Sequence, residues 1–234
     1  MITEAIILAG GFGTRLQSVV KDLPKPMADI NGRPFLEYQL NYLAKYGINR
    51  VIFSVGYLSE TISNHFGNSF NGIDIDYAHE ENPLGTGGGI LNAFHKRKTK
   101  ELIVLNGDTL FEIDIESFYK KHIVSKSLFS LALRELESVD RYGSVITKDS
   151  IIAKFAEKGE YKGQGVINGG VYIINELFFE KAKLPQKFSM EKDVFEKLLN
   201  SFDFYGFPFS NYFIDIGIPE DYNKAKDEFK KLNY

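Results

Sequence analysis

The sequence predicts an α/β fold: a mostly parallel sheet with helices on both faces, extended by a smaller antiparallel part. Three observations lead there. In the first half, short apolar runs alternate with runs of helical spacing, the rhythm of strand–helix–strand units. Two of the apolar runs, residues 5–8 and 102–105, stop at glycine-bearing loops, Gly10-Gly11-Phe12-Gly13 and Asn106-Gly107-Asp108. From residue 129 onward, strand-like runs follow one another with only tight turns between them.

The elements follow in order. Residues 5–8 form a first strand that opens into the glycines. Phe35, Leu36, Gln39, Leu40, Leu43 and Ala44 recur at helical spacing, and Gly47 ends that helix. Residues 50–55 read as a buried strand, 58–66 as a short helix, 73–77 as a strand and 102–105 as another. Pro83-Leu84-Gly85-Thr86-Gly87-Gly88-Gly89 is a second glycine cluster at a helix start. In such sheets ligands lie at the carboxyl ends of strands, where the Gly10 loop and Asp108 both fall. Residues 129–133, 143–147, 151–157 and 165–174 are the antiparallel extension, expected to cover the ligand crevice. Residues 190–199 read as a helix and 213–216 as a strand. The last helix starts at Pro219, carries Glu220 and Asp221 in its first turn and Lys230 and Lys231 near its end, and aligns Tyr222, Ala225, Phe229 and Leu232 on one face. No repeat or long linker interrupts the chain. One domain, 1–234, is expected, with 1–128 and 129–234 as its two parts.

Composition narrows the function. A hydrophobic share of 44%, a charged share of 25% and a net charge of −3 describe a soluble globular chain without a nucleic-acid surface. The absence of cysteine excludes disulfides, thiolate metal sites and cysteine nucleophiles. The N-terminal apolar run is too short for a signal or membrane segment and has no basic residues before it, so a cytoplasmic location and no membrane partner are expected. The four histidines, at 65, 79, 95 and 122, fit no metal-ligand spacing.

The first glycine loop carries the chemistry. Leu8-Ala9-Gly10-Gly11-Phe12-Gly13-Thr14-Arg15-Leu16 is echoed by Leu23-Pro24-Lys25-Pro26-Met27. Glycines let backbone N–H groups approach an anion, and Arg15 and Lys25 add charge, so the parts are those of a phosphate cradle. The dinucleotide fingerprint fails, because Leu16 stands where its third glycine belongs; the P-loop pattern fails for want of Gly-Lys-Ser/Thr. Asp108 and Asp215 are each flanked by apolar residues, and a carboxylate there needs a partner or a cation. A capping role for either alone is the plainer alternative.

The combination G-G-x-G-T-R-L plus P-K-P resembles the signature of the sugar-1-phosphate nucleotidyltransferases. The resemblance runs from Ala5 to about Tyr222 and implies a Rossmann-like sheet whose antiparallel extension binds sugar. It implies that a sugar 1-phosphate attacks the α-phosphorus of a nucleoside triphosphate and releases pyrophosphate. Leu8, Ala9, Gly10, Gly11, Gly13, Thr14, Arg15 and Lys25 would hold the triphosphate, with Arg15, Lys25 and Asp108 catalytic. Glu80, Gly85, Thr86 and Asn106 would complete the nucleotide site, and a carboxylate at Glu80 suits guanine. Tyr142, Gly143, Glu157, Lys158, Asn168 and Gly169 would hold the sugar phosphate, although Gly159 replaces the proline usual after Glu-Lys. Asp108 and Asp215 would hold Mg2+.

Within the family, Pro83-Leu84-Gly85-Thr86-Gly87-Gly88, Asp140-Arg141-Tyr142-Gly143, Ile167-Asn168-Gly169-Gly170 and Asp215-Ile216-Gly217-Ile218-Pro219-Glu220-Asp221-Tyr222 look most like the D-glycero-α-D-manno-heptose 1-phosphate guanylyltransferases. Mannose 1-phosphate guanylyltransferases and N-acetylmuramate 1-phosphate uridylyltransferases are alternatives. The end of the chain soon after this region implies no left-handed β-helix acyltransferase domain. From other classes, a glycosyltransferase using Asp74-Ile75-Asp76 as its D-x-D, or a non-catalytic nucleotide sensor, stays open. So does the oligomeric state, a homo-oligomer included.

Overall fold

The computed structural model describes residues 1–11, 16, 20, 23–139, 143–157 and 159–232. Its strands are β1 (Glu4–Leu8), β2 (Asp29–Ile30), β3 (Arg33–Pro34), β4 (Arg50–Val55), β5 (Ser69–Phe70), β6 (Ile73–His79) and β7 (Glu101–Asn106) in the first half. The second half adds β8 (Thr109–Phe111), β9 (Phe129–Leu136), β10 (Ser144–Lys148), β11 (Ile151–Ala156), β12 (Gly165–Asn175), β13 (Phe204–Phe209) and β14 (Phe213–Asp215). The helices are α1 (Phe35–Lys45), α2 (Ser59–Phe66), α3 (Gly85–Phe94), α4 (Ile115–Val124), α5 (Glu176–Ala182) and α6 (Pro219–Glu228).

Ten strands form one sheet in the order β10-β11-β13-β9-β12-β7-β1-β4-β6-β5. The central strands are apolar at nearly every position because both faces are covered, and alternation divides their side chains between two cores. Ile7, Phe53 and Leu105 point into one core with α1, α2 and α4. Ile6, Ile52 and Val104 point into the other, with α3 and α5. Helices therefore lie on both faces, as expected.

The expectation of a mostly parallel sheet needs correction. β1 runs parallel to β4 and β7, β4 to β6, and β9 to β13. The pairs β5–β6, β7–β12, β9–β12, β10–β11, β10–β12 and β11–β13 are antiparallel, so the sheet is mixed. The reason is the place of β12. It docks against the exposed edge of β7, Tyr172 opposite Val104, and carries the antiparallel strands into the same sheet.

Smaller differences have local causes. The 190–199 segment winds only over Met190–Phe195, as a π-helix. There the Ser189 hydroxyl accepts from Lys192 N, and Ser189 N donates to Asp193, which tightens the start of the turn. The strand expected at 213–216 pairs outside the main sheet, with β8. α4 and β13 were not anticipated: α4 is capped by Asp114, which accepts from Ser117 N at 3.0 Å. β13 sets Gly206 and Pro208 between the aromatic residues Tyr205, Phe207 and Phe209, a composition that hides a strand. α6 begins at Pro219 and docks as expected, with Tyr222, Ala225 and Phe229 buried. Among the described residues no helix is long and apolar enough to cross a membrane.

Candidate active site

The carboxyl ends of β1, β4, β6 and β7 are tied to one another by backbone hydrogen bonds. Ala9 N donates to Ser54 O at 2.8 Å, Glu80 N to Val55 O at 2.8 Å and Gly107 N to Leu8 O at 2.9 Å. A cleft of about 700 Å³ opens over this rim. Leu8, Gly10, Gly11, Asn106 and Asp108 line its floor, and Glu80, Gly85 and Thr86 line it from the β6–α3 side. Lys25 is its one cation among the described residues.

Two turns build the charged centre. Gly107 passes so close to β1 that a methyl group there would stand 2.3 Å from the Leu8 carbonyl oxygen. The buried Gln39 side chain pins the same turn, donating to Asn106 O at 2.8 Å and Thr109 O at 2.7 Å. β8 then leaves antiparallel to β14 with Asp215 opposite Thr109, and Ile216 N donates to Asp108 O at 2.9 Å. Two aspartates far apart in sequence become neighbours by this ladder.

Lys25 stands between them, 2.5 Å from Asp108 Oδ2 and 3.8 Å from Asp215 Oδ1. It is held there because Pro24-Lys25-Pro26 starts a one-turn 3-10 helix with Pro26 and Met27 buried. Burial, and after it the Asp108 carboxylate, raise the Asp215 pKa above its ordinary value, while Lys25 and the Gly217 N–H at 2.7 Å oppose the rise. Two carboxylates share one ammonium, which leaves one net negative charge. Such a group is suited to a second, oxygen-preferring cation.

Glu80 is fixed by both oxygens: Oε1 accepts from Ser54 Oγ at 3.1 Å and Oε2 from Leu84 N at 3.0 Å. A carboxylate has about four acceptor positions, so each oxygen keeps capacity toward the cleft. The second glycine cluster divides. Gly85 and Thr86 face the cleft, but Gly87 and Gly88 are buried and serve packing. A methyl on Gly87 would fall 2.1 Å from the Phe188 ring, and the Phe188 carbonyl accepts from Gly87 N and Gly88 N at 3.1 and 3.2 Å.

Of the other expected residues, Ala9 is fully buried beneath the floor rather than lining it. Gly13, Thr14, Arg15, Tyr142 and Lys158 lie outside the described residues. Gly143, Glu157, Asn168 and Gly169 do not line the cleft. They gather at its side: Ser144 pairs with both Ala156 and Ile167, which places their neighbours Gly143, Glu157 and Asn168 at one end of three strands. The Asn168–Gly170 bulge of β12 reaches the cleft edge, where a methyl on Gly170 would stand 2.6 Å from Asn106 Nδ2. Asp76 of the D-x-D is engaged elsewhere, by Arg50 at 2.8 Å and Lys96 at 3.5 Å.

Tyr57, Glu81 and Glu191 line the cleft and were not anticipated. Tyr57 and Glu81 follow strand ends, the one signal that could have marked them. Glu191 sat in a segment read only as a helix.

Residues 4–231 match the profile of the nucleotidyl transferase family. The chain belongs to that family. This nucleotidyl transferase is 51% identical over 227 residues to the D-glycero-α-D-manno-heptose 1-phosphate guanylyltransferase of Aneurinibacillus thermoaerophilus, covering 97% of this chain and 98% of the relative. It is 45% identical to the enzyme of the same name from Campylobacter jejuni, covering 94% and 96%. Among solved structures it superposes on HddC from Yersinia pseudotuberculosis with a TM-score of 0.87 and 41% identity, covering 97% of this chain and 100% of HddC. HddC complexed with GMP-PN superposes with a TM-score of 0.86.

Proposed function

We propose that this nucleotidyl transferase moves a guanylyl group from GTP to D-glycero-α-D-manno-heptose 1-phosphate. A phosphate oxygen of the sugar 1-phosphate attacks the α-phosphorus; that P–O bond forms as the bond to the β-phosphate oxygen breaks, and pyrophosphate leaves. The product is a nucleotide sugar of the kind used in surface polysaccharide synthesis. The observation that carries the reading is the end-to-end likeness to two heptose 1-phosphate guanylyltransferases, over a chain whose cleft joins a glycine floor to Lys25 and two aspartates.

No covalent enzyme intermediate is needed, so the protein's part is positioning and charge neutralisation. Gly10 and Gly11 offer backbone at the phosphate end, with Arg15, Gly13 and Thr14 completing that loop in sequence. Lys25 offsets charge that grows around the α-phosphate. Asp108 and Asp215 would hold Mg2+, whose charge would neutralise triphosphate oxygens; their sharing of one ammonium and the raised Asp215 pKa support that assignment. Glu80 accepts from the N1–H and exocyclic amine of guanine. The sugar phosphate lies toward Tyr142, Gly143, Glu157, Lys158, Asn168 and Gly169, so residues 1–128 mainly bind nucleotide and 129–234 mainly bind sugar within one domain. In this reading the enzyme works in the cytoplasm and needs neither nucleic acid nor membrane.

Mannose 1-phosphate is the second acceptor to test, because the mannose-1-phosphate guanylyltransferase of Mycobacterium tuberculosis is 35% identical over 224 residues, 62% of that enzyme. The deciding experiment measures pyrophosphate release for GTP, UTP, CTP and ATP against heptose, mannose, glucose and N-acetylmuramate 1-phosphates. The heptose and GTP pair should have the highest kcat/KM. A preference for UTP or CTP would overturn the guanylyl reading, and release of nucleoside diphosphate would indicate glycosyl transfer.

A further inference from the structure

The cleft is rich in acceptors. Glu80, Glu81, Asp108 and Glu191 all line it, against one described cation. Asp108 belongs to the charged centre and Glu80 to the β6–α3 side. Glu191 comes from the other half of the chain and has no role in the arrangement described so far.

Its carboxylate is held in place before any substrate arrives. Oε2 accepts from Ser189 Oγ at 2.8 Å and from Thr86 Oγ1 at 3.0 Å, and Thr86 Oγ1 in turn accepts from Met190 N at 2.9 Å. The clasp between Phe188 and the α3 start fixes the same segment. Oε1 accepts no hydrogen bond from the described residues, although Glu191 is exposed in the cleft. In the same half, the fully buried Tyr172 hydroxyl of β12 accepts from Asn168 Nδ2 at 2.9 Å. Burial first, then the charge of Glu191, push that phenol well above its ordinary pKa, and Asp108 acts in the same sense. Glu191 thus brings an unused carboxylate oxygen into the cleft from residues 129–234, the half of the chain expected to hold the sugar.

We infer that Glu191 is a specificity-determining residue of the sugar site, whose free oxygen accepts a hydrogen bond from a hydroxyl of the sugar 1-phosphate. The inference rests on the proposed reaction and extends it. An immobilised, charged acceptor with one open position selects a ligand that brings a donor, and a polyhydroxylated sugar does so. Thr86, expected on the nucleotide, acts through Glu191 and positions it.

The test compares wild type with Glu191→Gln and Glu191→Ala. KM for the sugar 1-phosphate should rise by about 10- to 100-fold, the effect of losing a hydrogen bond to a charged group. The affinity for GTP alone, measured by calorimetry without sugar phosphate, should stay within about twofold, a split that a merely structural role would not produce. A series of monodeoxy sugar 1-phosphates adds a test on the intact wild-type protein: one analogue should lose the same factor, and Glu191→Gln should lose little more on it. Should the substrate panel favour another sugar 1-phosphate, the same comparison is made with that sugar, which keeps the two claims separate. Unchanged KM for the accepted sugar, an equal loss of GTP affinity, or no deoxy analogue matching the variant would each overturn the assignment.

Discussion

At the scale of single residues, the proposed reaction asks most of Lys25. It is shielded from solvent and bridges Asp108 and Asp215, and in the proposed reaction its charge would lie close to where phosphate charge develops. Lys25→Ala should lower kcat by about 100-fold or more with a smaller change in KM for GTP, because that charge is needed most in the transition state; single-turnover kinetics check it. Asp108→Asn or Asp215→Asn should cost about 100-fold or more in kcat and raise the Mg2+ concentration needed for half-maximal rate. Full turnover in excess chelator would remove the metal assignment. Glu80→Gln should fold, since its amide oxygen can face Leu84 N while the Ser54 hydroxyl turns to accept from the new NH2. It should narrow the preference for GTP over ATP, as kcat/KM ratios would reveal, because it places a donor against the guanine donors.

At the scale of elements, the site depends on turns that admit no extra atom. Gly107 joins β7 to β8 against the Leu8 carbonyl. Gly107→Ala has to push β1 and β7 apart and should cost about 1–3 kcal/mol in urea unfolding, the usual price of overpacking, while displacing Asp108. α4 carries a pH-sensitive contact. His122 is buried, with Nδ1 2.8 Å from Ser130 Oγ and Nε2 3.6 Å from Glu101 Oε1. Burial lowers its pKa below the ordinary 6.5, with Glu101 opposing, so the folded chain keeps the ring neutral. Below pH 6.5 the unfolded chain binds the proton first. Stability from this group is therefore complete above that pH and falls as pH drops through it, by at most about 1.4 kcal/mol per unit. Urea midpoints between pH 5 and 8 should show a shallower slope for His122→Gln than for wild type.

At the scale of the whole molecule, one sheet runs through both halves, and β12 joins them by pairing with β7. That pairing sets the Asn168–Gly170 bulge beside Asn106 at the cleft edge and keeps the two sides of the site in one rigid layer. The clasp of Phe188 on α3 makes a second tie, so the second half supplies Glu191 to a cleft whose floor comes from the first. A variant that loosens the clasp, Phe188→Ala, should lose about 3–5 kcal/mol of stability, the usual cost of emptying a buried aromatic position. Thermal and urea unfolding of the two proteins would measure it.

The sequence by itself determined the parts whose signal is local. The first strand running into Gly10, the α1 stripe, the Pro219 start of α6 and the family signature around Gly10 and Lys25 are all written within a few residues, as period, breaker or cap. The two aspartates were legible as candidates because a carboxylate between apolar residues demands a partner. Only tertiary structure decided that Lys25 is that partner, since nothing local to Asp108 or Asp215 says that β8 and β14 pair. The mixed sheet was equally hidden: strand direction depends on which edge a strand meets, and β12 reads the same beside any neighbour. Gly87 and Gly88 looked like part of a helix start and proved to be where Phe188 docks, and Glu191 looked like one helix position among many. Both depend on contacts about 100 residues apart, and a contact of that range leaves no period in the chain for a reader to find.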